Sequence, residues 1–395
     1  MERSRRRKVV AATIFFAHSI KHIYHSGHQS LIMPEIKMGM SLNRAQFGSF
    51  GTASAIAWWI GTMLAGYLGD RFNKRAGLII SLSLFLMGAS LSLAGFINFY
   101  LAMVVVMFIV AIGPSMFHPP ALGELSRNFP EQRGFVVSLH GMGASLGEVL
   151  GPPVVASLLS FMFWRDVLKL SIFPSLLVAI GVLLLIRGNS TDEENPRDGF
   201  TGYVASLLNL LKDRLLLILI LASALRSIGE TGVTGFLSLY LREDLGYSFA
   251  TVAVVLSISQ AAGIMTQPLL GYLSDKFGRK IILTSTTGLI SLVAFGIGIV
   301  RPGIQLFFLI VLNGAFAIPL HHLFVAAALD LAQGITQSTV VSLIYGSGVV
   351  SIFIPYIVGL ISDRFGIQSA FLFGGTVLLL PTMLLFSTRF SRFTK

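Results

Sequence analysis

Long apolar runs, interrupted by clusters of charge and turn residues, dominate the chain. They give twelve candidate helices, over 9–33, 47–69, 76–96, 99–122, 134–161, 166–187, 215–241, 249–270, 280–300, 304–328, 337–360 and 369–388, numbered spans 1 to 12. Most approach the roughly 20 apolar residues that carry a helix across a bilayer. The expected fold is an all-α polytopic membrane protein. One sizeable interruption, 188–214, holds the acidic run Asp192-Glu193-Glu194 and Pro196, with 200–213 as a possible amphipathic surface stretch. It divides the chain into an N-terminal six-helix half, 1–187, a linker, 188–214, and a C-terminal six-helix half, 215–395. The basic start, Arg3 to Lys8, is like that of a signal peptide. The run after it is too long and lacks a small-residue cleavage site, so span 1 is expected to be retained.

Composition sharpens this. Hydrophobic residues make up 54% of the chain and charged ones 12%, about half the usual charged share. An ordinary soluble enzyme is excluded. With no Cys and 31 Phe, so are a disulfide scaffold and a disordered chain. The net charge of +11 would suit a nucleic-acid binder, but its placement says otherwise. With the N-terminus inside, 20 Lys and Arg fall on the cytoplasmic side and 7 on the other; Lys21 and Arg226 lie within spans. This is the positive-inside pattern. It predicts a bacterial inner-membrane type of protein with both termini cytoplasmic, the lipid bilayer as its partner and no nucleic acid.

The chain also repeats itself. Gly66-Tyr67-Leu68-Gly69-Asp70-Arg71-Phe72-Asn73-Lys74-Arg75 returns as Gly271-Tyr272-Leu273-Ser274-Asp275-Lys276-Phe277-Gly278-Arg279-Lys280, between the second and third spans of each half. Val136-Val137-Ser138-Leu139 returns as Val340-Val341-Ser342-Leu343 at nearly the same offset, and Gly359 to Gly366 is a shorter copy of the loop motif. Two echoes at one offset predict duplicated halves of like orientation, related by an axis along the membrane normal. In the loop motif, Gly66 and Gly271 would allow close helix approach. Asp70 and Asp275 could cap the next helix or pair with Arg71, Arg75, Lys276 or Arg279. Such a cluster could latch and release the halves on the cytoplasmic side; the alternative is a static turn with basic anchors.

These motifs, the twelve spans and the central linker resemble the major facilitator superfamily over essentially the whole chain. Phe117-His118-Pro119, with Gly143, Gly147 and Gly151-Pro152, is similar to its fosmidomycin-resistance branch of drug exporters. Where that branch has an acidic residue in its first helix, this chain has Lys21-His22. The resemblance implies two halves that rock about a central cavity lined by helices 1, 4, 7 and 10.

The polar residues within spans pick out the same four helices. All eight His fall in spans, where a charged side chain costs about 2.5–3.5 kcal/mol at the helix centre and usually faces water or a partner. In span 1, His18, Lys21, His22, His25 and His28 share about 120° of the helix surface at 3.6 residues per turn. This stripe should line a cavity, although His25 and His28 could simply reach the outer interface. Span 7 carries Arg226 and Glu230 at i, i+4, a proton site or a permanent ion pair. Spans 4 and 10 carry His118 and His321-His322. At an offset of 204, His118 corresponds to His322 and His22 to Arg226. Candidate substrate-binding residues are therefore His18, Lys21, His22, His25, His118, Arg226, His321 and His322. Span 5 adds His140 and Glu148, which with Glu230 are candidates for proton coupling.

His18, His22 and His25 could offer imidazoles to one metal ion. However, Lys21 lies among them, and neither Cys nor a nearby carboxylate supports a ligand set, so no metal and no cofactor are expected. There is no Walker motif for ATP, nor a nucleophile elbow or zinc-protease motif. The leading expectation is a monomeric, non-enzymatic secondary transporter that works by alternating access and exports a small, anionic or amphipathic organic molecule in exchange for protons. Uptake by proton symport, a non-transporting membrane sensor and a membrane enzyme with a catalytic His cluster stay open as alternatives.

Overall fold

The computed structural model describes residues 2–71, 75–129, 133–186, 211–331, 343–344 and 346–388. Among these every regular element is a helix. The chain packs as two compact units, Met1–Glu194 with Tyr247–Ser257, and Asn195–Gly246 with Ile258–Lys395. Most of the expected linker 188–214 lies outside the described residues.

The first unit contains α1 (Glu2–Gly27), α2 (Met33–Gly39), α3 (Arg44–Arg71), α4 (Ala76–Ala94), α5 (Tyr100–Ser115), α6 (His118–Asn128), α7 (Arg133–Leu159), α8 (Trp164–Leu170) and α9 (Ile172–Leu185). A π-helical turn, His28–Ile32, joins α1 to α2. The second unit contains α10 (Arg214–Leu239), most of α11 (Phe249–Phe277), α12 (Arg279–Ile299), α13 (Ile304–Leu331), α14 (Ile354–Phe365) and α15 (Gln368–Ser387). Ten helical stretches among the described residues are long and apolar enough to cross a membrane. The helices α1 and α3 are outside that set; α1 gives apolar positions to basic and imidazole side chains.

Three expected spans are broken. Span 4 becomes α5 and α6 because Pro119 and Pro120 have no N–H to continue the ladder, so the helix restarts at His118. Its counterpart α13 has one internal Pro, Pro319, and runs unbroken. Span 6 is divided at Ser171 into α8 and α9. Over its described part, span 11 is α-helical at 343–344 and 346, tightens to a 3₁₀ turn, Ser347–Ser351, and continues as α14 with Pro355 in its first turn.

Hydrophobic burial cannot hold helices together where lipid is as apolar as the core, so small residues and hydroxyls do this. Ser81 donates to the Ala179 carbonyl at 2.7 Å, Ser83 to Gly113 at 2.7 Å and Ser175 to Leu84 at 2.5 Å. In the second unit Ser259 donates to Ile310 at 2.8 Å, Ser291 to Gly375 at 2.7 Å, and Thr266 to Ala315.

Candidate functional site

In the first unit the site is assembled by a seam between α1 and α7. Gly143, Gly147 and Gly151 recur every four residues and so share one face of α7. A Cβ at Gly143 would meet the Phe15 carbonyl; at Gly147, the Ser19 carbonyl and His22 Cβ; at Gly151, the backbone of Ile23 and Gly27. Only hydrogen fits, and the two backbones touch. Ser26 donates to the Glu148 carbonyl at 2.9 Å along the same seam. The polar stripe of α1 thereby meets the polar residues of α7.

The contacts are short. His18 Nδ1 lies 2.7 Å from the His140 carbonyl, and the two imidazoles stack at 3.7 Å, 9° from parallel. His22 Nδ1 lies 2.6 Å from Glu148 Oε1, and His22 Nε2 lies 3.1 Å from His18 Nε2. From α6, His118 Nε2 lies 2.6 Å from Lys21 Nζ, and His118 Nδ1 lies 3.4 Å from His140 Nε2. Lys21 is 1% exposed. Its ammonium sits 5.3 Å from the Trp58 ring and 5.7 Å from the Phe117 ring, in cation–π range. Among the described residues no carboxylate pairs with it. His25 is exposed at the edge of the cluster, its ring 6.1 Å from that of His22.

The imidazole trio with nitrogens close enough to share an ion is His18, His118 and His140, drawn from three helices. This differs from the one-helix set His18, His22 and His25. Imidazole lone pairs lie in the ring plane, so the parallel stack of His18 on His140 does not aim both at one point.

In the second unit Arg226 and Glu230 form their i, i+4 ion pair on α10. The Arg226 guanidinium also donates to His321 Nδ1 at 3.2 Å and lies 5.8 Å from the Phe324 ring. Arg226 is 6% exposed; its Nε and Glu230 Oε1 are buried without a hydrogen-bond partner among the described residues. His322, the arithmetic counterpart of His118, is exposed, and its neighbour His321 takes the contact. One hundred degrees of helix separates adjacent residues, and only His321 is turned toward α10. The offset of 204 nevertheless holds along the seam: Ser347 donates to Ser223 at 3.0 Å and Ser351 meets Ser227 at 3.1 Å, where the first unit has Gly143 beside Ser19, and Gly147 beside Ile23.

In the loop motif Asp275 takes the second of its two expected roles, pairing with a loop base. Asp275 pairs with Arg279 at 2.6 Å, and Arg279 reaches Asp330 at 2.7 Å and Ser274 at 3.1 Å. One guanidinium therefore ties the ends of α11 and α13 within the second unit. The N-cap of α12 is Gly278 and has no side-chain cap, so Asp275 serves the arginine and not the helix terminus. Among the described residues nothing lies within 4 Å of a Cβ placed at Gly271. Gly278 and Gly366, at φ of 95° and 83°, end α11 and α14 in a conformation that side chains disfavour. Lys276 lies over the Phe277 ring at 5.5 Å. Arg75 is exposed, and the side chains of Asp70 and Arg71, with those around Gly66, lie outside the described residues.

Sequence reasoning missed Trp58 and the partner of Glu148. The first had a faint signal in the pair Trp58-Trp59. The second depends on the α1–α7 register along the glycine stripe that flanks Glu148.

The family model described as Major Facilitator Superfamily matches residues 10–318 and 219–392. The chain belongs to this superfamily. Family members with curated names include a probable sulfoacetate transporter of Cupriavidus necator, 31% identical over 138 residues, 35% of this chain and 32% of that protein. A putative transporter of Escherichia coli, YdfJ, is 26% identical over 283 residues, 66% of this chain and 64% of that one. The sphingosine-1-phosphate transporter SPNS2 of Danio rerio is 26% identical, over 52% of this chain and 42% of that one. The matched stretch thus spans about a third to just under two thirds of these relatives. Among solved structures, a bacterial homologue of the human lysosomal transporter Spinster superposes with a TM-score of 0.82, at 16% identity and 98% coverage of each chain. The nucleoside transporter NupG superposes at 0.78, with 14% identity and coverage of 96% of this chain and 100% of that one. These likenesses show the fold. Fold and family together make the chain a multi-pass membrane protein of the major facilitator superfamily.

Proposed function

We propose that this protein is a proton-coupled secondary transporter of small organic anions, working by alternating access in the export direction. One observation carries the substrate class: Lys21 is a buried cation in a membrane helix, held against an imidazole and two aromatic rings, and among the described residues no carboxylate is in hydrogen-bond contact with it. A charge so placed costs a few kcal/mol and marks a substrate path. An anion would supply the missing charge, with His118, His25 and Trp58 as its neighbours. Names among the relatives support an anion: sulfoacetate, sphingosine-1-phosphate and, in Thermus thermophilus at 25% identity, a probable nitrate/nitrite antiporter. Export is supported by the multi-drug efflux pump PmrA of Streptococcus pneumoniae, 28% identical over 156 residues. The 20-to-7 basic asymmetry supports cytoplasmic termini in a bacterial-type inner membrane. The repeat supports two six-helix halves, 1–187 and 215–395, in a monomer.

The test is flux in proteoliposomes with an imposed pH gradient, across a panel of sulfonates, sugar acids and phosphate monoesters. Gradient-dependent flux of at least one anion is expected. Lys21→Met should reduce it more than tenfold without lowering thermal stability, since it removes an uncompensated charge. An inert wild type, or full rates in Lys21→Met, overturns the reading.

A further inference from the structure

Counting the protons that the first unit's contacts require leads to a more specific statement, which deepens the proton-coupling part of the reading above. We propose that Glu148, His22 and His18 form a single net-neutral unit that holds one exchangeable proton, and that its release switches the tautomer of His22 and opens the His22–His18 contact.

The count starts from a fixed end. A backbone carbonyl only accepts, so His18 Nδ1, 2.7 Å from the His140 carbonyl, carries a proton. Neutral His18 therefore presents a bare Nε2. His22 Nε2 faces it at 3.1 Å. Two bare nitrogens at that distance repel, so a proton sits between them, supplied by His22. The other side of His22, Nδ1, lies 2.6 Å from Glu148 Oε1, and that contact needs a proton as well. Three contacts require three protons, and two neutral imidazoles bring only two. The third is shared between His22 and Glu148: either a neutral acid donates to a neutral imidazole, or a carboxylate accepts from an imidazolium. Both have a net charge of zero, which suits a buried site.

Loss of that proton has one low-cost path. The proton on His22 Nε2 leaves, and the one shared with Glu148 settles on Nδ1. His22 changes from carrying its proton on Nε2 to carrying it on Nδ1, opposite a Glu148 carboxylate. The two Nε2 atoms then face each other bare, and their 3.1 Å contact cannot persist. Proton release thereby becomes a displacement of ring against ring beside the α1–α7 seam.

The surroundings favour one proton, not two. Lys21 and His25 on α1, His118 on α6 and His140 on α7 face the unit. With Lys21 charged, its ammonium donates to His118 Nε2, so His118 donates from Nδ1 to His140 Nε2 across the 3.4 Å contact. His140 then carries its proton on Nδ1, which is buried without a partner among the described residues. That second chain already holds a positive charge, and it opposes a second excess proton on the first.

The experiment is nuclear magnetic resonance of the full-length protein in detergent, with ¹⁵N-histidine and ¹³C-carboxyl labels, titrated with pH. It uses neither substrate nor gradient, so it stands apart from the flux assay: absent flux would sink the transport reading and leave this result untouched. His18 should keep its proton on Nδ1 throughout. His22 should change tautomer, and Glu148 its carboxyl shift, at one shared midpoint. Glu148→Gln satisfies the same contacts, with an amide N–H donating to His22 Nδ1. It should therefore fold, fix His22 with its proton on Nε2 at every pH, and release one proton fewer per chain. Separate midpoints for His22 and Glu148, a His18 protonated on Nε2, or a His22 that still switches in Glu148→Gln would each overturn the proposal.

Discussion

The two units place polar residues at matched positions and use them in opposite ways. In the second, charge is settled locally: Arg226 and Glu230 are four residues apart on α10 and pair without help from another helix. In the first, the position matching Arg226 is His22, and its acid, Glu148, comes from a different helix. The match of Glu230 is Ser26, which holds the backbone at Glu148. A local pair survives any movement of α10 against its neighbours. A cross-helix pair exists only while α1 and α7 stay in register. Matched positions therefore carry different chemistry, a charge pair within one helix in the second unit and a cross-helix contact in the first.

The contrast can be broken most severely at the seam. Gly147→Leu drives a side chain into the Ser19 carbonyl and His22 Cβ. The obstacle is partly backbone, so the cost should exceed the roughly 1–3 kcal/mol of ordinary overpacking. Size-exclusion chromatography should recover little or no folded protein; near-normal yield would mean that the seam is looser than described. The next effect belongs to the second unit. Arg226→Ala strands Glu230, and losing one partner of a buried pair costs about 3–5 kcal/mol. Arg226→Met with Glu230→Leu should recover most of that in thermal unfolding. If the double variant is no more stable than Arg226→Ala, the pair is more than a charge balance. The smallest effect is Ser351→Ala, opposite the position of Gly147. It removes a hydroxyl bonded to Ser227 and to the Gly348 carbonyl, about 1 kcal/mol, measurable as a small fall in Tm. A large fall would make the two seams alike.

Much of this was legible in the residues. The polar stripe of span 1 comes directly from helical period, because His18, Lys21 and His22 could share a face only in a helix. The offset of 204 located Arg226 from His22. What could not be read depends on rotation and register between helices. The choice of His321 over His322 turns on one residue of helix rotation. The pairing of Glu148 with His22 needs the α1–α7 register, and the division of span 4 at His118 needs the combined effect of Pro119 and Pro120. For Asp275 the residues left two roles open, a helix cap or a pair with a nearby base, and only the geometry selects Arg279.

The glycine seam has a mechanical consequence. Backbone has no rotamers, so the separation of α1 and α7 cannot be adjusted by side chains hopping between wells, as it can in a leucine-packed interface. What remains free to move is the set of rings set into the seam. The first unit therefore resembles a rigid frame with a soft insert: stiffness belongs to glycine, compliance to imidazole, and the two meet across the seam where Gly147 faces the Cβ of His22.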